Sequence, residues 1–396
     1  EAAHGPLAEA TEIARRTGDA SLLTRAALLR CGIGVEIVEV DPERVALLEE
    51  AREALGEDGA DAAISAVEAR LAVELYYARP RERSERLSLA AVERARAAGD
   101  PRAPAVALNA RHVALWRPDR LRERLAVAEE MIAAARAARD PALHLQGRNW
   151  RVADLFEAGE VDRWREEVAR YGELARSLRM PVFGWYSTVW AAVDALYMGD
   201  LDAGRALRDR AVAEGRAAGD RNARVFEQML VFAECEVLDD FSPMAPETID
   251  YAMQRLASDA VSLAYVSGFA WYLAWAGEPR AAREQLARLG PRFERLPFDA
   301  NWMTGVGESM EAARLIGDGD VAAAVLDVLA PYAGRPLTAG RACNTMGAVD
   351  RQLGNAAAVL GRWDEAAAHY EAAVRIDSAA GWVPFADRAR AALAAL

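Results

Sequence analysis

Along this chain of 396 residues, apolar positions recur at three- and four-residue spacing inside stretches separated by short polar corners. Such spacing places Ala, Leu and Val on one stripe of an α-helix, the stripe that a packed partner buries. The corners carry a rhythm of their own. Asp100-Pro101, Asp140-Pro141 and Met180-Pro181 fall 40 residues apart, with Asp220 one step further. Leu75, Leu115 and Leu155 share that register, as do the aromatic residues beside them, Tyr76, Trp116 and Phe156. A turn position follows at Pro80, Asp119, Gly159, Gly199 and Asp239, then drifts through Gly277, Gly317 and Gly361. Two helical stretches in each period mark stacked helix pairs, so the expected fold class is all-α, a right-handed α-solenoid of about nine hairpins without a sheet.

The corners also set the phase. An Asp at the N-cap accepts from the free amides of the first turn, and a Pro after it sacrifices no helix bond. Asp19, Asp61, Asp100, Asp140 and Asp220 suit that role. First helices are then expected near residues 20, 62, 101, 141, 181, 221, 260, 299 and 340, with partners near 43, 81, 120, 160, 201, 246, 279, 320 and 363. The chain reads as one array over 1–396: a partial leading unit at 1–18, regular units at 19–238, and further units at 239–330 after a longer connection. The clearest unit covers 339–383 and a capping helix 384–396. Residues 331–340, rich in Pro and Gly, form another connection. Residues 6–17 resemble the second helix of a unit whose first is missing, and the chain opens without Met, which predicts a piece of a larger protein.

Composition narrows the function classes. The net charge is −13, and phosphate binding needs clustered positive charge, so no nucleic acid is expected on this segment. All 48 basic residues are Arg. Without Lys the chain cannot build an ordinary P-loop or a Schiff base. No apolar run approaches the ~18–20 residues of a membrane span. Cys31, Cys235 and Cys343 lie far apart, as expected of reduced, buried thiols in a cytoplasmic protein.

Aromatic residues cluster at 182–197 and 265–275. In a solenoid the first helices line the concave side, which would bring Trp185, Tyr186, Trp190, Phe226, Met229, Trp271 and Trp302 to a groove. Asn109, Trp116, Asn149 and Phe156 hold the equivalent earlier positions. Asn109 and Asn149, in the same place of adjacent units, would suit an amide ladder gripping an extended peptide or a small polar ligand. The competing reading is that the large rings fill gaps where Ala is too small. Asp239-Asp240 lacks the third acid of a magnesium motif and reads as a loop. The histidines His4, His112, His144 and His369 share no metal or catalytic spacing. No catalytic set, metal or cofactor is expected. Arg351 and Asn355, one turn apart, could hold a terminal carboxylate, although partners from neighbouring units are not evident.

The segment from Leu353 to Ala373 resembles the tetratricopeptide repeat. The pair Leu353-Gly354, the turn Gly361, the small Ala366, aromatic Tyr370 and small Ala373 follow that motif in order, while Asp350 stands where its Trp would be. The strings at 329–335, 347–354 and 360–366 resemble the C-terminal helical region of large actinobacterial ATP-binding regulators. In that family a nucleotide-binding switch precedes the repeats, with a LuxR-type DNA-binding or a cyclase domain alongside. The resemblance implies a non-enzymatic sensing arm whose groove takes a protein partner or small-molecule effector. The alternative is a scaffold or self-association module, a possible homo-oligomer without a small ligand. Neither reading calls for a membrane.

Overall fold

The computed structural model describes residues 4–32, 34, 40–57, 59–220, 222–256 and 263–396. The chain divides into two compact units. Unit 1 comprises Glu1–Trp116 and Arg120–Arg151, and unit 2 comprises Arg117–Asp119 and Val152–Leu396. Unit 1 contains α1 (His4–Thr17), α2 (Ala20–Cys31), α3 (Pro42–Leu55), α4 (Asp61–Glu74), α5 (Glu82–Ala97), α6 (Ala103–Ala114) and α7 (Leu121–Ala137). The next helix, α8 (Pro141–Glu157), is divided between the two units. Unit 2 continues with α9 (Val161–Ser177), α10 (Pro181–Tyr197), α11 (Leu201–Ala217), α12 (Ala223–Leu238) and α13 (Pro246–Leu256). There follow α14 (Leu263–Trp275), α15 (Pro279–Ala287), α16 (Trp302–Ile316) and α17 (Gly319–Leu329), then a hairpin of β1 (Pro336–Ala339) and β2 (Asn344–Ala348). The chain closes with α18 (Val349–Val359), α19 (Trp363–Ala380) and α20 (Val383–Ala394).

The fold is all-α apart from that hairpin, and successive helices pack on one another within each unit. Its register is visible in the backbone. Gly99, Arg139, Arg179 and Gly219 sit 40 residues apart and take φ values of +67°, +53°, +53° and +70°. Two of these positions accept a left-handed conformation without glycine, which marks them as fixed by the helix ending itself. After Arg139, Arg179 and Gly219 the next amide donates back to a carbonyl of the preceding helix, Asp140 to Ala135 and Met180 to Ala175 at 3.0 Å and Asp220 to Gly215 at 3.1 Å. The repeated ring position is core throughout, since Tyr76, Trp116 and Phe156 are all buried. Asp19 and Asp140 cap α2 and α8 as expected, accepting from Leu22 at 2.9 Å and Leu143 at 3.0 Å. Asp61 does not cap: it is the first residue of α4 and Ala60 precedes it. Asp100 and Asp220 bond the amides of Arg102 and Asn222, two residues on, and so turn the chain just before α6 and α12 begin.

Two expectations fail at 336–348. The helix expected to start near 340 begins at Val349, and a two-stranded antiparallel sheet takes its place. Thr338 pairs with Thr345 and Ala339 with Asn344. The reason is local. Pro336 cannot donate, β-branched Thr338 and Thr345 favour a strand, and Gly340 and Ala342 turn the corner at φ +55° and +56°. The expected helix start near 260 lies outside the described residues, and α14 is described from Leu263.

In the segment from Leu353 to Ala373, α18 and α19 pack closely against one another. Gly354 leaves room for Tyr370, whose ring would lie 2.6 Å from any added Cβ, and Tyr370 Oη donates to Asn355 Oδ1 at 2.9 Å. Ala366 is fully buried beside Ala357 and Tyr370, while Trp363 is 57% exposed. Ala366→Trp is therefore expected to cost ~1–3 kcal/mol through overpacking. Trp363→Ala should stay within about 0.5 kcal/mol. Urea midpoints of the two variants check the order, and equal shifts would show that this unit is registered wrongly.

Candidate binding site around the buried hairpin

Helix α10 supplies most of the aromatic wall of unit 2. Trp185, Tyr186 and Trp190 are all buried, and Phe226 of α12 completes the group. The Trp185 and Tyr186 rings stand 4.3 Å apart, Phe226 meets Trp185 at 5.3 Å and Tyr186 at 5.4 Å, and Trp190 packs edge-on to Tyr171 at 5.0 Å. All of these rings are buried. Asp220 anchors two of them: Trp185 Nε1 donates to its Oδ2 at 3.1 Å and Tyr186 Oη at 3.0 Å.

The space against this wall holds the chain's own hairpin. Both strands are buried along their length, and they pack on α12, α16, α18, α19 and α20. Leu337 and Met346 fit against Gly307 of α16, where any Cβ would come within 2.7 Å of Leu337 and 2.9 Å of Met346. The tip is held through its main chain. Trp190 Nε1 donates to the Arg341 carbonyl at 2.9 Å, and the Thr345 amide donates to Tyr197 Oη at 2.8 Å. The Ala348 amide donates to Asp377 Oδ1 at 2.9 Å. One side chain is gripped as well. Arg341, 2% exposed, donates from Nη1 to Tyr186 Oη at 3.0 Å and lies 5.6 Å from that ring's centre. Burial pushes the Tyr186 hydroxyl upward, with the Arg341 charge opposing, so the phenol stays neutral and can donate to Asp220.

Beneath the hairpin lies a second, ionic group. Glu311 of α16 accepts from Arg351 Nη1 at 2.5 Å and Gln352 Nε2 at 2.8 Å, and its other oxygen accepts from Arg314 at 2.9 Å. Burial pushes its carboxyl up, but the guanidinium groups of Arg351, Arg314 and Arg388 outweigh that and hold it well below the usual range. Glu308, one turn earlier, has no such cation and is pushed by burial to about 8, even with Ser267 Oγ donating at 2.6 Å. Asp377 is raised to about 7 by burial, against the pull of Arg351 and the Ala348 amide. Glu236 of α12 is also held well above the usual carboxylate range, by burial first and then by Glu308. The Asn344 side chain lies close enough to oppose that shift. Asn344 Oδ1 and Asp377 Oδ2 meet no hydrogen-bond partner among the described residues. Arg388 of α20 donates to the last carbonyls of α12, Glu236 at 2.5 Å and Val237 at 3.2 Å.

The residues singled out by sequence therefore fall into separate places. Trp185, Tyr186, Trp190 and Phe226 come together at the hairpin, and Met229, half-buried, meets Cys343 there with 3.5 Å between the sulfurs. Trp271 packs with Phe232 and Phe241, and Trp302 with Phe298 and Tyr332. Phe156 stacks with Trp164 and Trp382. In unit 1, Asn109 accepts from Trp150 Nε1 at 2.7 Å, Trp116 packs edge-on to Trp150, and Asn149 is buried. Arg351 and Asn355 are taken up by Glu311 and Tyr370. Asp240 accepts from the Ser242 amide at 2.8 Å, a loop contact. Among the described residues no group of three or more His, Cys, Asp or Glu could hold a metal ion, and no helix is long and apolar enough to cross a membrane.

Sequence reasoning missed Arg341, Asn344, Glu236, Glu308, Glu311, Asp377 and Arg388. A signal existed for some of them: Glu308 and Glu311 interrupt an otherwise small and apolar helix from Trp302 to Ala313, all of it buried. No family model matches the chain, and no curated protein sequence matches it.

Proposed function

We propose that this chain is a non-enzymatic, protein-sensing arm of a bacterial signalling or transcriptional regulator, in which unit 2 responds to an extended protein segment. The observation that carries the reading is the hairpin: an extended piece of chain seated against aromatic side chains and bonded through its backbone by Trp190, Tyr197 and Asp377. A closed apolar pocket beside Tyr186 and Phe226 would favour a small effector instead. That space is filled by protein, and Trp271 belongs to a different cluster. The three free, buried cysteines suit work in the cytoplasm. Control would run by linkage, because a segment that binds one state of the arm better than another shifts the parent protein between states.

The experiment is Arg341→Ala in the full-length regulator, with its transcriptional or cyclase output measured beside the thermal melting of the protein. The expected result is an output shifted toward the partner-bound level while melting stays cooperative. An unchanged output from a folded variant overturns the reading.

A further inference from the structure

We infer that the hairpin tip is a tethered stand-in for an external ligand, an extended protein segment that presents one arginine between small residues. The inference rests on the reading of unit 2 as a segment-responsive module and names what that module reads. The seat has the two parts that strand recognition requires. Its main-chain grip is independent of sequence: one carbonyl and two amides of the hairpin are met by side chains of α10 and α19. Its selective part is a single pocket, in which Tyr186 receives the guanidinium by hydrogen bond and by ring face and is itself oriented by Asp220. A planar, permanently charged guanidinium suits an aromatic face backed by a carboxylate better than a compact ammonium does.

The residues around Arg341 are small, Gly340 before it and Ala342 and Cys343 after it, so nothing else at the tip asks for a pocket. The seating is also imperfect. Asn344 Oδ1 and Asp377 Oδ2 are buried and meet no hydrogen-bond partner among the described residues. For an external segment to enter, the hairpin must open without global unfolding, although its strands are buried.

The test uses the full chain carrying Arg341→Ala and fluorescent peptides with the sequence of residues 334–348, Cys343 replaced by Ser. The arginine peptide is expected to bind roughly ten- to a hundredfold tighter than its Arg341→Ala form, with the Arg341→Lys form between them. The wild-type chain should bind the arginine peptide more weakly, since its own hairpin competes. Equal affinity for the three peptides overturns the inference, as does no capture by a variant that still melts cooperatively. Should that variant lose cooperative melting, hydrogen exchange in the wild-type chain decides. Faster exchange at the Thr345 and Ala348 amides than within α10 supports an opening hairpin, whereas exchange only through global unfolding makes it fixed core. Peptide capture with unchanged output of the parent would refute the regulatory reading and leave the pocket standing. Changed output without capture would do the reverse.

Discussion

Replacing Arg351 by Ala is expected to destabilise unit 2 by ~3–5 kcal/mol, the usual cost of leaving a buried charge without its partner. The side chains of Arg351 and Glu311 are 2% and 0% exposed and meet at 2.5 Å. Water cannot reach Glu311 to replace the lost guanidinium, and Arg314 and Gln352 compensate only part of its charge. The variant also frees the Met346 carbonyl, which accepts from Arg351 Nη2 at 3.2 Å, so β2 should loosen with it. The double variant Glu311→Leu with Arg351→Met removes both charges and keeps similar volume. Swaps of that kind are often neutral or stabilising, so it should recover most of the loss. Urea unfolding followed by tryptophan fluorescence reports the difference. A single-variant cost below about 1 kcal/mol would place Glu311 in contact with solvent, contrary to its burial.

Much of the helical register was legible because it is written in local chemistry. Helix starts follow from residues that satisfy free amides, as at Asp19 and Asp140, and helix ends from a left-handed residue at a fixed step. The hairpin was harder to read, although Pro336, Thr338, Gly340 and Thr345 are all strand or turn residues. Its strands are too short for alternation to show, and the repeat of about 40 residues placed a helix start near 340, on top of them. The aromatic cluster was legible as a cluster but not as a surface. Whether Trp190 or Tyr186 faces solvent depends on what covers it, and the cover here lies about 150 residues away in sequence (151 and 155 between the bonded pairs). The ionic group stayed hidden for the same reason. Glu311 and Arg351 are 40 residues apart, one period of the repeat, and only packing reveals that they meet inside.

The stability of unit 2 should fall as pH rises from about 4.5 to about 8, opposite to the behaviour of a protein held by exposed ion pairs. Glu308 is raised to about 8 and Asp377 to about 7, both far above their unfolded values near 4. Between those limits the native state keeps protons that the unfolded chain has released. Stability from this source is therefore complete below the unfolded pKa, declines as pH climbs, and is gone above the folded pKa. Glu311 works in the other direction, since its depressed carboxyl contributes stability that is lost only as pH falls below about 4.5. Together they place the optimum near pH 5. Each pH step over which the folded chain alone keeps one such proton is worth ~1.4 kcal/mol, so Glu308 by itself can supply on the order of 2–4 kcal/mol between pH 5 and 8. Urea midpoints at the two pH values should show that slope in the wild-type chain and a shallower one in Glu308→Gln, which keeps the bond geometry to Ser267 without the charge. A wild-type midpoint that rises toward pH 8 would mean that Glu308 is ionised and hydrated in the folded protein. The hairpin ties this dependence to the proposed seat. Asp377 accepts from the Ala348 amide, and Glu236 faces Asn344, so ionising the group beneath the strands charges the floor on which they rest.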